Sequence, residues 1–264
     1  MGRKLALLVG VSEYGDTLSP LPCAARDVSA LAAVLRATQR GGFDTVHELV
    51  NPSNDTLQIS VESFFRGGQS DDLLLLYFSG HAVKDTRGDL FFATPQTRRS
   101  PNGDLQRATA TRCSFVHECM DDSRSRRQVI ILDCCFSGAF AEGLAAKDDR
   151  AIDIQQNFGG EGRAILTSST STQYSYARSN SELSEYTGHL VEGIRTGRAD
   201  LDSDGMISTD ELHEYAQKEI RANQHTSGMK PKIFPVREGY KIFVSQAPLV
   251  DARTAYCAEL RRVG

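Results

Sequence analysis

Apolar residues fall into two rhythms along this chain. Leu5 to Val11, Leu73 to Phe78, Val129 to Leu132 and Ala164 to Thr167 are unbroken aliphatic or aromatic runs of strand length. Continuous runs of this kind suit strands covered on both faces, as in a parallel sheet. Between them the spacing changes. Ala24 to Thr38 carries Val28, Leu31, Ala32 and Leu35 at helical intervals, and Gly41-Gly42 stops it before a strand from Phe43 to Val50. Asn51-Pro52-Ser53-Asn54 is turn and cap chemistry ahead of a helix near Leu57 to Phe65. A short strand from Leu90 to Ala93, helices at Arg112 to Met120, Tyr186 to Arg195 and Asp210 to Arg221, and a last strand at Tyr240 to Val244 complete the pattern. Strands alternating with helices predict a three-layer α/β/α sandwich around a mainly parallel sheet.

Two polar stretches interrupt this order. Thr97 to Thr111 contains Arg98, Arg99, Pro101 and Gly103, and Glu142 to Gly162 contains Lys147-Asp148-Asp149-Arg150 and Gly159-Gly160. A loop as long as the second, inside a compact domain, is functional or disordered.

Composition narrows the class. The chain has 264 residues, 40% of them hydrophobic, enough for a core without a metal or disulfide to hold it. A net charge of −4 gives no basic footprint for nucleic acid. The six cysteines have no framework spacing, and adjacent Cys134 and Cys135 suit neither an ordinary disulfide nor zinc, which points to a reducing interior. Nothing in the sequence reads as a signal peptide or membrane span. A soluble, cytoplasmic protein is expected.

Chemistry concentrates at the carboxyl ends of two strands. The run ending at Phe78 delivers Ser79-Gly80-His81, and the run ending at Leu132 delivers Asp133-Cys134-Cys135-Phe136-Ser137-Gly138. Open α/β sheets place their sites at such ends. A cysteine needs a neighbouring base there, because its unperturbed pKa of about 8.5 leaves little thiolate at neutral pH. Either residue alone would be an ordinary strand-end residue, since cysteine often serves as a small buried hydrophobe.

Tyr77-Phe78-Ser79-Gly80-His81 and Asp133-Cys134-Cys135-Phe136-Ser137-Gly138 together resemble the histidine and cysteine motifs of caspase-like cysteine peptidases, more closely those of metacaspases and bacterial caspase-like proteins than of animal caspases. The resemblance covers Leu5 to about Ser245, with Phe136 and Ala82 departing from a usual histidine and glycine. It implies a caspase-like domain over residues 1–246, with residues 247–264 a tail or linker. It implies a Cys135–His81 dyad without an evident third member, an oxyanion hole from the backbone N–H groups of Cys135 and Gly80, and protein substrates. A zymogen awaiting an upstream activator in a bacterial stress, death or defence pathway follows from the same likeness. Oligomeric state is left open.

The resemblance also assigns a pocket for the residue before the cut. Asp133 matches a metacaspase pocket aspartate, Asp27 a second, and Ser79 a third lining residue, while Ser168 and Ser169 fall where the substrate backbone runs. Two carboxylates at one slot favour Arg or Lys, Arg by its bidentate fork. Asp27 can equally cap its helix, and Arg26 beside it would reverse the preference if it entered the pocket. An enzyme of this specificity could process itself at Lys147 or Arg150, with Arg98, Arg99, Arg124 and Arg126 as further sites.

One more pattern stands apart. Asp200 to Glu211 follows the EF-hand loop, with Asp200, Asp202, Asp204, the Met206 carbonyl and Glu211 at ligand positions, Gly205 at the turn and Ile207 at the pairing position. Such loops work in pairs, and this chain has one. Structural calcium, a calcium-responsive regulator and a hydrogen-bonded turn without an ion all remain open. The other readings kept open are a non-catalytic caspase-fold signalling module and a metacaspase-type acidic cluster at Asp85 and Asp89.

Overall fold

The aliphatic runs form the strands expected of them, and most extend further than their apolar residues do. A computed structural model describes residues 2–15, 18–136, 162–168, 182–223, 231–234 and 241–248, with Cys135, Phe136 and Phe234 described by backbone alone. Strands β1 (Lys4–Gly10), β2 (Thr45–Val50), β3 (Leu73–Lys84), β6 (Arg127–Phe136) and β7 (Arg163–Thr167) pair in parallel in the order β2-β1-β3-β6-β7. Strand β9 (Lys232–Phe234) joins β7 antiparallel at the edge. Strands β4 (Leu90–Phe92) and β5 (Thr111–Arg112) extend the sheet antiparallel beyond the end of β1, β4 pairing with β3.

Alternation along the strands divides the core in two. Ala6, Leu8, Leu75, Tyr77, Val129, Ile131 and Leu166 face α1 (Cys23–Arg36), α4 (Glu185–Thr196) and α5 (Thr209–Ala222). Leu7, Val9, Leu74, Leu76, Phe78, Ile130, Leu132 and Cys134 face α2 (Asn54–Arg66) and α3 (Cys113–Asp121). The expected mixed α/β class with a mainly parallel sheet between helices is what the chain adopts. Ser53 caps α2 as its sequence context requires, its hydroxyl accepting the Thr56 N–H at 3.1 Å.

The last strand differs from its expectation. β10 (Phe243–Gln246) starts three residues later than Tyr240 and lies outside the main sheet, pairing antiparallel with β8 (Met206–Ser208). Lys4 ties this small ribbon back to β1 by donating from Nζ to the carbonyls of Gly41 (2.6 Å) and Val244 (3.0 Å). Among the described residues, no helix is long and apolar enough to cross a membrane.

Close approach of α1 to the end of β1 depends on Gly10. A Cβ there would lie 2.5 Å from the Ala24 carbonyl oxygen and 2.8 Å from a Val28 methyl. Overpacking of this kind costs about 2 kcal/mol. Gly10→Ala should therefore lower the thermal midpoint by several degrees in a circular-dichroism melt, whereas an unchanged midpoint would show that α1 can shift freely.

Candidate active site

β3 outruns β1. β1 ends at Gly10, opposite Ser79, while β3 continues alongside β6 through Ser79↔Asp133, Gly80↔Cys134, His81↔Cys135 and Ala82↔Phe136. The register thus sets the histidine and the candidate nucleophile side by side on adjacent strands. Cys134, one residue earlier, has its side chain in the α2/α3 core and behaves as the small hydrophobe cysteine often is.

His81 is held on several sides. Its Nε2 lies 2.8 Å from the Ser19 carbonyl oxygen. A carbonyl only accepts, so Nε2 carries the proton and Nδ1 holds the free lone pair in the neutral ring. Nδ1 is buried and has no partner among the described residues. With His81 only 8% exposed, burial pushes its pKa below the ordinary 6.5, and the Ser19 carbonyl partly opposes this. The ring is neutral at neutral pH and able to take a proton at Nδ1.

Tyr14 sets the backbone of His81. Its hydroxyl accepts the His81 N–H at 2.8 Å and donates to the Val11 carbonyl at 3.0 Å, and its ring stands 4.8 Å from the imidazole. This arrangement gives Gly80 a packing role, because a Cβ there would meet the Tyr14 hydroxyl oxygen at 2.8 Å. The glycine is accounted for without appeal to an oxyanion hole. Neither Tyr14 nor the Ser19 carbonyl was visible from sequence. A backbone carbonyl has no residue-type signal, and Tyr14 reads as part of an ordinary turn.

The three expected pocket residues do come together. Asp27, from α1, is fully buried, its Oδ2 accepting from the Ser79 hydroxyl (3.0 Å) and its Oδ1 from the Ser184 N–H (2.8 Å). Asp133, at the end of β6, is 5% exposed. Its Oδ2 accepts from the hydroxyls of Ser184 and Thr187 (2.6 Å) and from the Thr187 N–H at 3.3 Å. Among the described residues, Oδ1 of Asp133 takes no hydrogen bond. The pair is gathered at the amino end of α4, where backbone donors and the helix dipole favour negative charge. Desolvation, then repulsion from Asp133, pushes the Asp27 carboxyl up to about 7.

The alternative role for Asp27 as a cap of its own helix is not what the structure shows, since its carboxylate binds β3 and the segment before α4. Arg26 does not enter the pocket either. It is exposed and donates from Nε to the Glu182 carbonyl. The bidentate argument for arginine also weakens: with Oδ2 of Asp133 carrying three donors, one open oxygen serves a guanidinium or an ammonium alike.

Other expected residues lie elsewhere. Ser168 is buried at the end of β7, its N–H donating to the Leu132 carbonyl at 3.0 Å. Ser169, Lys147 and Arg150 fall outside the described residues. Asp85 and Asp89 lie at the turn between β3 and β4, where Arg107 and Arg112 pair with them at 3.6 and 2.6 Å.

The EF-hand-like loop does gather the Asp200, Asp202 and Asp204 carboxylates, with ligand oxygens within 4.8 Å of one another. Glu211 does not join them. Its Oε2 closes a capping box on Ser208 (N–H 3.0 Å, hydroxyl 2.6 Å), and its Oε1 accepts the Leu201 N–H at 3.1 Å. Lys241 Nζ sits 2.7 Å from Asp202. The bidentate ligand that the loop pattern assigns to Glu211 is committed to the backbone, so the residues as arranged do not fit an EF-hand ion. The strand carrying Ile207 pairs with β10, where a second loop would stand in a paired EF-hand.

No curated protein sequence matches the chain. The crystal structure of protein GSU0716 from Geobacter sulfurreducens is similar in fold, with a TM-score of 0.62 and 16% identity, over 93% of this chain and 98% of that one. The family model for the caspase domain matches residues 3–250. With nearly its whole length matched, the chain belongs to the caspase-domain peptidase family.

Proposed function

We propose that this protein is a cysteine endopeptidase in which Cys135 and His81 form the catalytic dyad and Asp133, backed by Asp27, selects Arg or Lys before the cut. One observation carries the reading: a buried, neutral His81 with Nε2 tied to the Ser19 carbonyl and Nδ1 free, in register with Cys135. His81 Nδ1 accepts the Cys135 thiol proton as sulfur attacks the scissile carbonyl carbon. The C–N bond then breaks, the amine leaves with that proton, and an acyl-enzyme thioester remains. A water molecule, giving a proton to Nδ1, attacks the thioester and releases the acid and the thiol. Stabilising the oxyanion falls to backbone donors other than the expected N–H groups of Cys135 and Gly80, because the Gly80↔Cys134 pairing turns both of those into the β3–β6 ladder.

The pocket follows from charge. Among the described residues Oδ1 of Asp133 is an open acceptor, and the negative charge of the pair has no counter-cation among its described hydrogen-bond partners. A basic side chain supplies one. Fluorogenic peptides ending in Arg, Lys or Asp should separate the readings. Wild type turns over the Arg and Lys peptides, Cys135→Ala neither, and Asp133→Asn loses about a hundredfold in kcat/KM, the order for losing one member of a buried charge pair. Turnover of the Asp peptide would overturn the acidic pocket. A folded protein that cleaves nothing would support a non-catalytic signalling module instead.

Protons compete with the basic side chain for the same pair. With Asp27 pushed up to about 7, its carboxyl holds a proton below that pH and is ionised above it. Of the neighbouring titratable groups, burial lifts the Cys23 thiol to about 12, raises the Tyr77 and Tyr186 phenols and lowers His81. KM for an Arg peptide should therefore fall as pH rises from about 6 to about 8, and Asp27→Asn should flatten that dependence. A KM indifferent to pH in wild type would show that Asp27 does not act on the pocket.

A further inference from the structure

Among the described residues, Ser184 alone donates hydrogen bonds to the carboxylates of both Asp27 and Asp133. It precedes the first residue of α4 and has the extended backbone of an N-cap (φ −61°, ψ 150°), yet its hydroxyl does not cap the helix. The hydroxyl donates to Oδ2 of Asp133, while its backbone N–H donates to Oδ1 of Asp27 at 2.8 Å. Asp133 takes over the capping task, accepting the Thr187 N–H from another strand. Capping has thus been transferred from the residue next to the helix to the residue proposed to read the substrate.

The consequence is a fixed orientation. Three donors, two hydroxyls and one amide, draw Oδ2 of Asp133 toward the end of α4. Thr187 is anchored in turn by the Tyr77 hydroxyl at 2.7 Å, and the segment before Ser184 by Arg26 on the Glu182 carbonyl. A carboxylate held through one oxygen presents the other. Ser184 supplies one of those donors and joins Asp133 to Asp27, so that neither carboxylate can turn without breaking a bond to it.

We propose that Ser184 is a positioning residue for substrate specificity: by bridging Asp27 and Asp133 it aims the free Oδ1 of Asp133 at the basic side chain of the substrate. The inference rests on the acidic-pocket reading above. It separates binding from chemistry, because Ser184 touches neither His81 nor the reacting bond. Loss of its hydroxyl leaves Asp133 with the Thr187 donors, so the charge stays while its aim is lost. Threonine keeps the hydroxyl.

The test needs no turnover to begin. Agmatine, an alkylguanidinium, is titrated by calorimetry into Cys135→Ala protein carrying Ser184, Ser184→Ala, Ser184→Thr or Asp133→Asn. Removing one charge-assisted hydrogen bond from the clamp should weaken agmatine about tenfold in Ser184→Ala, with binding restored in Ser184→Thr. In the active enzyme, KM for the Arg peptide should rise by a similar factor with kcat within about twofold, as expected when ground-state binding alone is lost. Equal agmatine affinity in Ser184→Ala and wild type, while Asp133→Asn loses it, would overturn the positioning role and leave the pocket standing. Agmatine affinity untouched by Asp133→Asn, or none in wild type, would overturn the pocket reading and the inference with it. A fall in kcat with KM unchanged would show Ser184 acting on the dyad, against the proposal.

Discussion

Everything at this site depends on the parallel ladder between β3 and β6. Ten consecutive residue pairs join the two strands, from Leu73↔Arg127 to Ala82↔Phe136, and the last four include Asp133, His81 and Cys135. From Leu75↔Val129 to Phe78↔Leu132 the ladder is apolar and buried between helices, which makes its register costly to slip: a one-residue shift would turn each strand's core side chains to the wrong face. The polar end inherits that precision. Ser79, Asp133, His81 and Cys135 are placed by apolar residues several positions earlier.

Burying two carboxylates so close together carries an electrostatic cost, and the fold offsets it with the amino end of α4. Four donors from Ser184 and Thr187 meet Asp27 and Asp133, and the Ser79 hydroxyl adds a fifth. The donors offset that cost only in part, since desolvation and repulsion from Asp133 still push the Asp27 carboxyl up to about 7. His81 shows the complementary device, a ring kept neutral by burial and fixed in one tautomer by a carbonyl.

The sheet was legible because it rests on a local signal, unbroken aliphatic runs, and His81 and Cys135 stood out as candidates because they follow two of those runs directly. β3 was read as ending at Phe78 and runs to Lys84, because Ser79 to Lys84 are held by pairing with β6 and β4, which no apolar run announces. The edge strand β9, the short strand β8 and its pairing with the expected last strand were not legible, being three or four residues long and paired across large separations. The EF-hand spacing was present, yet Glu211 answered to the capping box that its position after Ser208 equally allows. Tyr14, the Ser19 carbonyl, Ser184 and Thr187 act through tertiary contacts to residues far along the chain. Ser184 is instructive, since it occupies the N-cap position of α4 while the capping bond to the Thr187 N–H comes from Asp133.

The central claim is that His81 and Cys135 form one chemical unit, and the alkylation rate of Cys135 by iodoacetamide against pH tests it most directly. Peptide mapping isolates this thiol from the buried Cys23, Cys113, Cys119 and Cys134. The account predicts that wild-type alkylation is already fast at pH values well below the free-thiol pKa of about 8.5, because Nδ1 of the neutral His81 ring takes the thiol proton, and that in His81→Ala the rate rises only as the thiol itself ionises. A profile at or above that value in both proteins would contradict the dyad.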